Sequence, residues 1–173
     1  MTNRKALKSL INWVDMRNRS MLSSNLLGIS IDKFFMPSFA NIIGTDLSTY
    51  KLIMKNQFAC NPMHVGRDEK MPIALYREDT PSIVSPAYFV FEVKNTLELL
   101  PEYLMLWFRR AEFDRECWFH TDGSVRGGIT WEEILDMTIP VPSIDEQNQI
   151  VQQYNDINDR IRIKREVNDN LAA

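Results

Sequence analysis

Two cysteine–histidine pairs, Cys60-x3-His64 and Cys117-x2-His120, offer four zinc-ligand side chains at tolerable spacing. Cys117 closes a segment crowded with aromatics, where a free thiol packs as a small hydrophobe rather than a ligand. Asp79 with Glu92-Val93-Lys94 supplies a second possibility. Two carboxylates hold magnesium and a lysine assists the attacking water, the chemistry of a metal-dependent nuclease. The Glu-x-Lys lies at a strand end, but Asp79 sits in a turn before proline and the triplet is common by chance. No Gly-x-Ser-x-Gly elbow or glycine-rich nucleotide fingerprint is present. What remains is binding chemistry. Residues 120–128, His-Thr-Asp-Gly-Ser-Val-Arg-Gly-Gly, combine small residues and hydroxyls with Arg126. Glycines there let backbone N–H groups face an anion. Residues 61–70, Asn-Pro-Met-His-Val-Gly-Arg-Asp-Glu-Lys, are equally rich in hydrogen-bonding groups.

These loops need a frame. Leu7, Leu10, Ile11 and Val14 have helical spacing and predict a short amphipathic helix or a lead-in to the first strand. Short apolar runs then alternate with turn residues at 26–29, 50–54, 57–60, 73–76 and 87–93. In the last run Ala87, Phe89, Phe91 and Val93 face one way, and Tyr88, Val90 and Glu92 the other. Leu100, Tyr103, Leu104, Trp107, Phe108 and Ala111 form the buried stripe of a helix over 101–118 that opens at Pro101. Thr130 and Glu133 predict a capping box, as do Ser143 and Glu146, and Ile139-Pro140-Val141-Pro142 between them is extended. From Ser143 a long helix carries Ile150, Tyr154, Ile157, Ile161, Lys164, Asn168 and Leu171 in alternating steps of four and three. That is the 3.5-residue period of a coiled-coil seam, with Asn168 favouring one register.

The chain has 173 residues, 45% of them hydrophobic, enough for one packed domain with an appended element. No apolar run is long enough to span a membrane and no export signal is evident, so both cysteines are expected as reduced cytoplasmic thiols. The net charge of −3 is unevenly spread. Residues 1–70 hold 10 Lys and Arg against 5 Asp and Glu; the remainder holds 10 against 18. A basic half on an acidic chain predicts one phosphate-facing surface with little long-range attraction. The fold class expected is α+β. A β-rich domain with packed helices occupies residues 1–142, and a coiled-coil helix occupies 143–173.

The ordered series Gln57–Lys70, Pro72–Tyr76, Ile83–Phe91, Leu100–Leu104, Gly123–Gly128 before Trp131-Glu132, Ile139–Pro142, Glu146-Gln147 and Ile150-Val151 resembles the specificity subunit of type I restriction–modification enzymes. The resemblance covers residues 10–171. It implies a domain that reads double-stranded DNA and a helix that pairs with its counterpart and spaces two such domains. It implies no catalysis by this chain. Modification subunits using S-adenosylmethionine, and a restriction subunit using ATP and magnesium, are the implied partners; none of these cofactors is expected on this chain. A usual specificity subunit carries two recognition domains, and this chain has one. It is therefore expected to act as a half-subunit, paired with a second copy or another half-subunit. The helix ends at Leu171-Ala172-Ala173 without a terminating residue, which favours truncation. Loop chemistry picks out Lys33, Asn41, Asn61, Arg67, Lys70, Ser124 and Arg126 as DNA contacts. The seam picks out Ile150, Tyr154, Ile157, Ile161, Asn168 and Leu171 for dimerisation. Competing classes are the Asp79, Glu92 and Lys94 nuclease and a protein-interaction module without DNA.

Overall fold

A computed structural model describes residues 3–38, 44–121 and 127–172, with the side chains of 64, 171 and 172 outside the description. The order is β1 (Arg4–Ala6), α1 (Leu7–Leu10), β2 (Ile11–Val14), β3 (Leu26–Ile29), β4 (Phe35–Pro37), β5 (Lys51–Ile53), β6 (Gln57–Cys60), α2 (Val65–Asp68), β7 (Ile73–Leu75), β8 (Ser82–Val84) and β9 (Phe89–Val93). Then come α3 (Pro101–Phe108), α4 (Ala111–Phe119), α5 (Trp131–Asp136), β10 (Thr138–Pro140) and α6 (Ile144–Ala172). The fold is α+β, as expected.

The central sheet has the order β2-β9-β6-β7 and is antiparallel throughout. Strand alternation sends Phe58, Cys60, Phe89, Phe91 and Val93 to one face and Ala59, Tyr88 and Val90 to the other. The first face packs on Leu7, Leu104, Phe108, Phe113 and Ile134 of the helices. The second packs on Leu27, Ile29, Phe35, Ile53 and Val84 of the sheet β4-β3-β8-β5, in which only β3 and β8 are parallel. Both faces are covered, which is why the strands are apolar at nearly every position rather than at every second one.

The segment 4–14 folds as strand, single helical turn and strand. β1 pairs with β10, so the N-terminal residues are sewn to the extended Ile139-Pro140 stretch that leads into α6. Both expected capping boxes form: the Thr130 hydroxyl accepts from Glu133 N–H, the Ser143 hydroxyl from Glu146 N–H, and each glutamate reaches back to its cap. The Ser143 bond holds the Glu146 carboxyl below its ordinary pKa.

The expected helix over 101–118 is broken into two. Arg110 is extended, with ψ 142°, and α4 turns back so that Phe113 lies on Phe108 with ring centroids 4.8 Å apart. The break is held by Lys33, which is expected from sequence at the DNA surface and is instead 5% exposed. Its ammonium donates to the carbonyl of Phe108, at the end of α3, and to Asp114 in the first turn of α4 at 2.7 Å, and lies over the Phe113 ring. Asp114 also accepts the Met71 N–H at 3.0 Å. A buried ammonium keeps its charge only when so surrounded; burial lowers the Lys33 pKa and the Asp114 carboxylate opposes the shift.

Removing one partner of such a pair strands the other charge. Lys33→Met should cost roughly 3–5 kcal/mol in urea unfolding, and Lys33→Met with Asp114→Leu should cost less than the two singles added. A single-variant loss under about 1 kcal/mol would show the pair to be structurally idle.

Candidate nucleic-acid interface

The two polar loops singled out in the sequence meet in the fold. Gly66 N–H donates to Gly127 C=O at 2.9 Å, and Ile129 N–H to Pro62 C=O at 3.3 Å. A side chain at Gly128 would place its Cβ 3.0 Å from the Pro62 oxygen, a contact that only a shift of the Pro62 backbone would relieve, so the close approach favours glycine there. Asn61 is fastened at its base. Its carboxamide oxygen accepts from Met63 N–H, capping the 3₁₀ turn Pro62–His64, and its side chain also bonds Tyr88. Arg67 stands exposed beside them, but its guanidinium is paired with its neighbour Asp68 at 2.6 and 2.9 Å, which raises its pKa. The loop therefore presents an ion pair rather than a bare cation.

Lys70 lies elsewhere. With Lys33, Asp32, Arg109 and Asp114 it lines a recess of about 360 Å³, and its ammonium is 3.9 Å from Asp32. Asn41, Ser124 and Arg126 fall outside the described residues. Sequence reasoning missed the aromatic patch on the outer strand β2. Trp13, 41% exposed, packs against Trp131 and Phe89 with centroids 5.0 and 5.2 Å apart, and the Lys51 ammonium lies over its ring. The sequence signal was present in Trp131 beside the capping threonine and in the apolar Ile11 and Val14 flanking Trp13. It missed Arg77 too, an exposed arginine with no hydrogen bond or ion pair to the other described residues.

The basic half does not form a bare cationic face. Of its 10 Lys and Arg, eight have a carboxylate within 4 Å among the described residues. Lys5, Lys8, Lys33 and Lys55 take theirs, Glu98, Asp136, Asp114 and Asp79, from the acidic half.

The nuclease candidates each have another partner, and of the zinc candidates the His64 side chain lies outside the described residues. Asp79 pairs with Lys55, Glu92 accepts from the Gln57 amide, and Lys94 donates to the Lys8 carbonyl. Burial pushes the Cys60 thiol up to about 12 and the Cys117 thiol higher still, so neither is a thiolate near neutral pH. Among the described residues no three His, Cys, Asp or Glu side chains are placed to hold a metal ion.

In α6 the expected seam divides. Ile150, Ile157 and Ile161 are 41%, 58% and 43% exposed, and Asn168 is exposed. Tyr154 departs from the seam: it turns to the domain, where Arg109 donates to its hydroxyl at 2.5 Å and stacks on its ring. Leu171 lies in the helix with its side chain outside the description. Ile163 and Val167, not assigned to the seam, are half exposed.

Residues 39–173 match the family described as the type I restriction modification DNA specificity domain. The chain belongs to that family. Among solved structures it is similar to the type I restriction–modification S subunit from M. genitalium, with TM-score 0.59 and 14% identity over 94% of this chain and 40% of that one. The HsdS subunit from Thermoanaerobacter tengcongensis gives TM-score 0.53 and 11% identity over 93% of this chain and 38% of the other. A chain from a study of complex assembly and conformational transition in a type I R-M system gives 0.56 and 10%, over 93% and 39%. The specificity domain here thus spans about two fifths of the length of those chains. No curated protein matches it at a significant level. Among the described residues no helix is long and apolar enough to cross a membrane.

The closeness of the two loops is testable. Gly128→Val should force Pro62 aside, cost about 1–3 kcal/mol in urea unfolding and weaken DNA binding in the presence of modification subunits. Parental stability together with parental affinity would separate the loop contact from the interface.

Proposed function

We propose that this chain is the DNA-reading component of a type I restriction–modification enzyme, acting in the cytoplasm and catalysing no reaction itself. Residues 1–142 form the target recognition domain and 143–173 the spacer and dimerisation helix. The reading is carried by one observation: the family match over residues 39–173 takes in both the joined loops and the long helix. Asn61, Arg67 and Lys70 are the described candidates for DNA contact, with Asn41, Ser124 and Arg126 from the sequence alone. Lys33 is not among them, because its ammonium is held inside the domain by Asp114 and the Phe108 carbonyl. Modification subunits bring S-adenosylmethionine, and a restriction subunit brings ATP and magnesium. The similar solved S subunits support these partners by analogy of family and fold.

The net charge of −3, and the pairing of eight of the ten basic side chains in residues 1–70, support weak binding by the chain alone, with the modification subunits supplying most of the affinity. A second copy joined by two-fold symmetry through Ile157, Ile161 and Asn168 gives an interrupted palindrome as target. The 29 residues of α6 span about 43 Å, or about 13 base pairs between domain centres.

Methylome sequencing of cells carrying the chain with its modification subunits should show one bipartite motif with a fixed unspecified gap. A contiguous motif would overturn the two-domain reading, and magnesium-dependent cleavage by the purified chain would favour the nuclease. Self-association is checked separately: sedimentation should show a dimer at high micromolar concentration, lost in Ile157→Asp with Ile161→Asp. A wild-type monomer there would restrict pairing to the assembled enzyme.

A further inference from the structure

The first turns of α6 are fastened to α3 at two points. At the start of α3 the helix cap residue Leu100 has no side-chain cap, and its N–H donates at 2.9 Å to the carboxamide oxygen of Gln147. The same carboxamide donates its two hydrogens to the carbonyls of Glu98 at 2.8 Å and Pro142 at 2.9 Å. Gln147 is fully buried, and its oxygen and both its N–H hydrogens are engaged. At the far end of α3, two turns later on α6, Arg109 clasps Tyr154 through its hydroxyl and its ring. Between the two points Val151 packs on the domain core. Asn155 lines a recess of about 190 Å³ with Arg109 and Tyr154, and from 156 to 170 every residue of α6 is exposed.

One fastening would locate the helix and leave it free to swing. Two, separated by about 10 Å along its axis, fix its direction. Direction matters because the helix is a lever. From Gln147 to the end of α6 is about 37 Å, so a swing of about 10° moves that end by about 6.5 Å, the rise of about two base pairs.

We propose that Gln147 and the Arg109–Tyr154 clasp are positioning residues for target choice: they set the gap between the two halves of the recognised site without touching DNA. The inference rests on the bipartite reading above. Only a neutral primary amide meets the demand at 147. A carboxylate would face two carbonyl oxygens, and a thioether would leave one donor and two acceptors unpaired.

The test is methylome sequencing of cells carrying the chain with its modification subunits, comparing the parent, Gln147→Met, and Tyr154→Phe with Arg109→Met. The bases read in each half-site should stay as in the parent. Discrimination against gaps one or two base pairs longer or shorter should fall by on the order of tenfold in Gln147→Met, and less in the clasp variant. Should Gln147→Met accumulate poorly, the clasp variant, altered only at partly exposed side chains, gives the same readout. A single parental gap in a folded, active variant overturns the proposal. Changed half-site bases also overturn it, since the residues would then act on the reading surface. A parent motif without a gap sinks the bipartite reading instead, a result visible in the parent alone.

Discussion

The buried ion pair between Lys33 and Asp114 is the constraint on which the remaining packing depends. It joins the turn between β3 and β4, the break between α3 and α4, and the lead-in to β7 through Met71. Lys33 reaches this position from a left-handed backbone conformation, φ 68°, which costs a residue with a side chain on the order of 1 kcal/mol. The ammonium repays this by ending α3: it occupies a terminal carbonyl that has no partner within the helix. The residue after that carbonyl is Arg109, which holds Tyr154 of α6. A charge buried in the domain thus fixes the ground from which the long helix is held.

Electrostatic balance follows a similar pattern. The cations of the first 70 residues are drawn onto carboxylates, several of them from the second half of the chain, as Lys5 is onto Glu98 and Lys8 onto Asp136. These pairs lie near the surface and add little stability individually. Their larger effect is to flatten the field. A chain whose cationic charge is largely cancelled in this way gains little from long-range steering of a polyanion. The joined loops have a fixed shape of their own: glycine at 128 admits the Pro62 carbonyl, and Asn61 stiffens the turn beside it.

The long helix has two different parts. Its first turns are a member of the domain, with Gln147 buried and Val151 in the core; its last turns expose Ile157, Ile161, Ile163 and Val167. At 100° per residue Ile157 and Ile161 share one stripe of the helix, and Ile163 and Val167 a second, on an otherwise polar surface.

Local signals settled much of this protein from sequence. Period-two alternation placed Phe89, Phe91 and Val93 on one face, and the two Ser/Thr-x-x-Glu patterns marked helix starts at Trp131 and Ile144, because such features are decided by neighbours a few residues away. The ordered series of motifs pointed to the family for the same reason. The fates of single polar side chains were not legible. Lys33 looked like a surface cation, the segment 101–118 like one helix, and Tyr154 like a member of the seam. Each was decided by a partner 45 to 81 residues away: Phe108 and Asp114 for Lys33, Lys33 for the helix break, and Arg109 for Tyr154. A lysine is soluble or buried according to whether three-dimensional packing brings it enough acceptors, and no local pattern encodes that. Gln147 makes the same point in reverse: the sequence displayed it as part of a motif, and only the fold supplied the three backbone groups that require it.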